Sequence, residues 1–340
     1  MDQGASRPAV PRSRERRLDL DRARGIAILL VVFGHVVAQQ APEGNTWYEP
    51  VRFAIYRFHM PFFLYLSGTV VVLSGLLATA PPAWPAALRK RAVRLLVPFF
   101  GIGLFILAAK LVALQLVYVD NPPEGLGGGL RDLFLTTARS PALSVWYLLV
   151  LFLCTIVALL LRRLGSTGLV LLGLALQFLE VPPLVYLDRF ASHFLFFAAG
   201  LWVAERQGRM LPAFEAWQPL WWAAFALGIA AAELEWLDAR WSMVLCGLLC
   251  IPALHGAIRR PPVSAWQWPL ALGRYAMAIY LFNTLAIGGG KAVLIAGGIG
   301  WTEAWFPLHV AVAMALGLGV PVLLKRLVLR RIPPVDRLTD

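Results

Sequence analysis

Charge is what this sequence has least of. Only 15% of its 340 residues are Asp, Glu, Lys or Arg, while 59% are hydrophobic and the mean hydropathy is +0.69. A soluble domain does not need that much apolar surface, whereas several runs of about 20 apolar residues account for it directly. Cysteine is scarce too. Cys154, Cys246 and Cys250 all sit inside apolar runs, at spacings that fit neither a disulfide framework nor a metal site, so no metal is expected. Acidic residues number 19 against 31 lysines and arginines, a net charge of +12. The basic residues are dispersed between apolar runs, so they read as topology signals and contacts for anionic lipid or phosphate, with no nucleic-acid partner. The N-terminus lacks a small-residue cleavage site after an apolar core, so no cleaved signal peptide is expected. There is no internal repeat.

What is present is a series of apolar runs separated by polar turns, at 22–40, 54–78, 93–118, 143–161, 164–179, 190–204, 217–233, 241–257, 270–295 and 304–324. They predict an all-α, polytopic membrane bundle of about ten transmembrane helices. Residues 1–17 read as a disordered basic tail, 18–328 as the membrane domain and 329–340 as a C-terminal tail. With both termini on the cytoplasmic side, 23 of the 31 lysines and arginines face the cytoplasm and six face outward, as the positive-inside rule requires. The segments 164–179 and 190–204 are short for full crossings. The loop 119–142, rich in glycine and proline, is placed outside as a cover for a cavity mouth.

The first run carries the most informative spacing. Arg24 and His35 are eleven residues apart, three helical turns plus about 20°, so both fall on one helical face. The rise between them is about 16 Å, which puts a cation at the membrane surface and an imidazole near mid-depth. An ionisable residue inside a span is costly and marks a functional site. His59 follows at the entry of the second span, above Pro61, which predicts a kink and a freed carbonyl near the ring. Ser67-Gly68 predicts close helix approach. Asn283, nine residues past Arg274, lies near the depth of His35, with Tyr280 one turn earlier. Blander roles are available: Arg24 as a positive-inside anchor, His35 as a packing partner, Trp146-Tyr147 as an aromatic belt, and His193, Glu180 and Asp188 as interface residues. Gly288-Gly289-Gly290 would serve as a helix break in a transporter or flippase of a lipid-linked saccharide, the alternative reading.

These residues resemble the membrane acyltransferase 3 family. The resemblance rests on LDLDRARGIAILLVVFGH, with its Arg24-to-His35 spacing, and on FHMPFFLYLSG. Weaker blocks follow in order: KRAVRLLVPFF, VWYLLVLFL, FLFFAAGL and LGRYAMAIYLFN. Together they cover residues 17 to about 325. The resemblance implies transfer of an acyl group, most simply acetyl, from cytoplasmic acyl-CoA to a hydroxyl of a saccharide or lipid-linked glycan. The setting it implies is a bacterial inner membrane. His35 would act as general base or as the acyl acceptor, two routes that the residues do not separate. Arg24, too far from His35 to orient it, would bind a CoA phosphate with help from Arg91 and Arg94. Arg57, His59, Trp146, Tyr280 and Asn283 would meet the acceptor. Asn283 stands where relatives often carry histidine; it keeps hydrogen bonding without titration, which suits orientation. The hydrolase-like extension of some members is not found before Asp340, so transfer is expected from the membrane domain alone.

Overall fold

The computed structural model describes residues 17–38, 40–115 and 122–339, and within them the chain is helical. No strand occurs among the described residues beyond an isolated bridge between Thr136 and Leu184. The helices run in order as α1 (Leu18–Gly34), α2 (Tyr48–Tyr56), α3 (His59–Leu73), α4 (Trp84–Ala113), α5 (Gly125–Phe134), α6 (Trp146–Leu160), α7 (Gly165–Ala175) and α8 (Leu187–Glu205). After them come α9 (Gln207–Ala216), α10 (Gln218–Glu233), α11 (Ala239–Arg259), α12 (Trp268–Arg274), α13 (Ala276–Ala296), α14 (Phe306–Leu327) and α15 (Pro333–Leu338). Local signals set several starts. Proline enters the first turn of α4, α10, α12 and α14, where its missing N–H costs nothing. The Asp238 carboxylate caps α11 by accepting from the N–H groups of Arg240 (2.8 Å) and Trp241 (3.0 Å).

Five helical segments among the described residues are long and apolar enough to cross a membrane: Pro81–Ala113, Leu143–Leu160, Ala239–Arg259, Ala276–Ala296 and Glu303–Arg331. All ten expected runs contain a helix, but the other five fall short in length or apolarity. Three of those, α1, α3 and α8, are the most enclosed elements, with most of their residues buried. Glycines let them sit close. A Cβ on Gly68 would collide with the Phe197 carbonyl oxygen, and one on Gly200 with that of Tyr65, so α3 and α8 touch backbone to backbone as Ser67-Gly68 predicts.

Several expectations change in detail. The 22–40 run is not one helix: α1 stops at Gly34, although the apolar sequence continues through Val37. Three side chains from α2 take the carbonyls freed there. Tyr48 donates to Phe33 O (2.6 Å), Tyr56 to Gly34 O (2.7 Å) and Arg52 to Val37 O (3.0 Å). The second run breaks at Arg57–Phe58, not at Pro61, because Pro61 falls in the first turn of α3. The 119–142 loop holds a helix, α5, packed on α4 through Leu133 and Gly103, where an irregular cover was expected. Gly288 to Gly290 do not interrupt α13, since Gly290 packs against Leu316 of α14. Helix α8 begins at Leu187 and rises about 28 Å, nearly a full crossing, whereas α7 rises only about 17 Å. The C-terminal segment folds back: Lys325 donates to Asp336 O (2.7 Å) and Thr339 Oγ1 (2.9 Å). Residues 1–16 of the expected 1–17 tail, the end of the 93–118 run and the start of the 119–142 loop lie outside the described residues.

Candidate active site

His35 follows the last residue of α1 and keeps near-helical backbone angles, φ −88° and ψ −4°. The helical face shared with Arg24 therefore survives the end of the helix. Its Nδ1 lies 2.7 Å from Oδ1 of Asn283, which is fully buried on α13. The amide can point only one way. Asn283 Nδ2 donates to the carbonyls of Ile279 (2.8 Å) and Tyr280 (2.9 Å), which only accept. Oδ1 must then accept from the ring, so the proton of neutral His35 sits on Nδ1 and Nε2 carries a free lone pair. Nε2 has no hydrogen-bond partner among the described residues, and His35 is only half-buried. An oriented imidazole with a bare nitrogen has the form of a general base or nucleophile held by a third group.

The other expected residues divide into three groups. On the Arg24 side, Arg24 is half-buried and pairs with Asp21 at 3.4 Å. Arg24 of α1 and Arg91 of α4 both lie within electrostatic range of the Tyr147 hydroxyl of α6. Arg91 Nε is buried without a hydrogen-bond partner among the described residues, and Arg94, nearby on α4, is exposed. Between this point and His35 lies Tyr280. Its ring packs against Tyr147 with centroids 5.6 Å apart, and its buried hydroxyl is unpartnered among the described residues. Tyr147 itself pairs with Ser67 Oγ of α3 at 2.5 Å.

Beyond His35 the seam continues through two more imidazoles. His59, buried at the start of α3, donates Nδ1–H to Ile55 O (2.8 Å), packs on Tyr56 with ring centroids 5.0 Å apart and lies within electrostatic range of His35. His193 of α8 acts on His59 in turn, donates Nδ1–H to Arg189 O (2.9 Å) and lies 4.8 Å, ring to ring, from Trp146. His193 is thus an interior residue of the polar seam, where an interfacial position was expected. Arg57 is the residue not brought in. Its guanidinium stacks on Phe53 (3.9 Å) and donates to Ala239 O at the start of α11 (3.0 Å).

Further contributors were missed from sequence. Tyr147 reads as a belt aromatic because a Trp-Tyr pair opens an apolar run; the two converging arginines are invisible until the helices pack. Ser67 reads as a packing residue for the same reason. Tyr65 and His255 (hydroxyl to Nδ1, 2.6 Å) link α3 to α11, with Asp19 of α1 at 3.5 Å from the other ring nitrogen. Among the described residues no group of histidine, cysteine and acidic side chains has the makings of a metal site.

The arrangement joins a cationic end, a line of tyrosines and an oriented histidine across five helices. Comparison with known proteins bears on what it does. The acyltransferase 3 family model, described as an acyltransferase domain, matches residues 17–326, which takes in every residue of the seam. The nodulation protein NolL of Sinorhizobium fredii is 37% identical over 100 residues, 29% of this chain and 26% of that protein. NolL of Mesorhizobium japonicum is 36% identical over 85 residues, 24% of this chain and 22% of that protein. The matched stretch therefore covers about a quarter of each curated relative's length. No solved structure matches. With helices long and apolar enough to span a bilayer and a family match over nearly all of its length, this chain belongs to the acyltransferase 3 family.

Proposed function

We propose that the protein transfers an acyl group, most simply acetyl, from acyl-CoA to a hydroxyl of a saccharide or lipid-linked glycan in a bacterial inner membrane. Both termini would face the cytoplasm. One observation carries the reading: the 2.7 Å contact of His35 Nδ1 with an asparagine whose amide is locked by two carbonyls, which puts the ring proton on Nδ1 and leaves Nε2 as the basic nitrogen of a half-buried ring. A thioester is already activated, whereas a sugar hydroxyl is a weak nucleophile that needs a base near neutrality. In the proposed step, Nε2 removes the hydroxyl proton as the oxygen attacks the thioester carbonyl carbon. The C–S bond then breaks, and the imidazolium returns that proton to the departing thiolate, giving ester and free CoA.

Arg24 lies about 16 Å along α1 from this nitrogen, so it would hold a phosphate of the donor, with Arg91 beside it and Arg94 at the mouth. The pantetheine arm would run past Tyr147 and Tyr280. On the far side, His59, Trp146 and His193 form a polar and aromatic wall suited to a sugar. Asn283 acts through His35 and is a positioning residue. The unbroken α13 removes the helix interruption on which a transporter reading would rest. The reading is tested by supplying purified protein in proteoliposomes with acetyl-CoA and candidate glycans. Free CoA thiol and acetylated glycan should appear together; glycan crossing the bilayer with no CoA released would contradict it.

A further inference from the structure

A second polar site lies on the opposite face of α1. Arg22 is two residues from Arg24, about 200° around the helix, and so points away from the His35 seam. It lines a cavity of about 280 Å³ together with Arg17, Asp19, Arg259 and Ser264. The charges there are unevenly matched. Arg17 donates to both Asp19 oxygens (3.0 and 2.8 Å), and Arg259 bridges Asp19 (2.9 Å) and Glu215 (2.5 Å). Those two arginines are thereby neutralised by those two carboxylates. Arg22 is left over. It is 8% exposed, its Nε donates to Trp266 O at 3.2 Å, and both Nη groups lack any partner among the described residues.

A largely enclosed guanidinium whose two Nη groups face a cavity is met there by water or by an anion, and an anion would also balance the charge that the neighbouring carboxylates leave unmatched. Its fork geometry fits two oxygens of a phosphate. The tryptophan whose carbonyl Arg22 holds indicates the depth of the site. Trp266 and Trp268 stack with ring centroids 5.9 Å apart and are 40% and 43% exposed, as expected of aromatics at the headgroup level. We propose that this cavity binds a phosphate group through Arg22, independently of the site that holds the acyl donor. The Trp pair favours the phosphate of an anionic phospholipid; a soluble phosphomonoester has the same chemistry and is the other source.

The test uses full-length protein stripped of lipid in detergent, with bound ligand read by native mass spectrometry. It is titrated with phosphatidylglycerol, with diacylglycerol, which lacks the phosphate, and with adenosine 3′,5′-bisphosphate. The wild type should retain one phosphate-bearing ligand in preference to diacylglycerol. Arg22→Gln should weaken that binding at least tenfold, and Arg22→Lys should restore part of it. Retention of phosphatidylglycerol that Arg22→Gln abolishes identifies a lipid site, and retention of the bisphosphate that Arg22→Gln abolishes identifies a soluble one, since bisphosphate held at the donor site would survive that substitution. Ser264→Trp, which fills the cavity from a surface turn without changing charge, should give the same loss and serves if Arg22→Gln does not fold. Equal binding by wild type and both variants, equal retention of diacylglycerol, or no ligand bound by the wild type would overturn the site. None of these readouts depends on acyl transfer, so the result stands apart from the proposed activity.

Discussion

At the residue scale, the account turns on a single proton position. Asn283 fixes the tautomer of His35, so Asn283→Ala should lower kcat roughly 10²- to 10⁴-fold with little change in the KM of the donor. Asn283→Asp keeps an oxygen facing Nδ1 and should retain more activity than Asn283→Ala; steady-state kinetics on purified protein checks the order. At the other end, Arg24→Ala should raise the donor KM more than the acceptor KM, by on the order of tenfold for one lost charge-assisted contact. An unchanged donor KM would remove Arg24 from phosphate binding. Much of this was legible in sequence. The spacing of Arg24 and His35 on one helical face and the common depth of His35 and Asn283 follow from helix geometry alone. Spacing does not say that those faces meet, and the hydrogen bond between them appears only in the fold. Tyr147 was hidden because its chemistry comes from arginines on two other helices.

At the element scale, the site depends on where α1 ends and on how tightly α3 and α8 pack. Sequence favours a helix past Gly34, since apolar residues continue. The end is imposed by Tyr48, Arg52 and Tyr56 of α2, a tertiary effect with no local signal. Tyr56→Phe leaves the Gly34 carbonyl without its donor and should destabilise the protein by about 1–3 kcal/mol while loosening the turn that holds His35. Thermal unfolding in detergent, read beside activity, measures both effects. Gly68→Ala would drive a methyl into the Phe197 carbonyl and should cost about 1–3 kcal/mol or more. Gly288→Ala, with nothing within 4 Å of the added carbon, should leave stability unchanged or raised. Equal behaviour of the two glycine variants would mean that α3 and α8 do not pack as described. The glycine at 288 looked like a break because three glycines in a row weaken a helix, yet α13 runs through them unbroken with Gly290 packed on α14.

At the scale of the whole molecule, the apolar composition announced a membrane bundle before any helix was placed. The structure refines this into five long apolar helices alongside the enclosed α1, α3 and α8, which place His35, His59 and His193. All three lie in apolar runs that the sequence shows, but their enclosure appears only once the bundle packs. The positive-inside bias predicts cytoplasmic termini, so a C-terminal fluorescent-protein fusion should glow and a C-terminal alkaline phosphatase fusion should stay inactive. The opposite pattern would invert the proposed entry side of the donor. The most direct measurement is transfer of radiolabelled acetyl from acetyl-CoA to glycan in membranes carrying wild-type protein or His35→Ala. The account predicts a loss of roughly 10²-fold or more in the variant, with protein level and fold unchanged. Transfer at the wild-type rate by His35→Ala would contradict it.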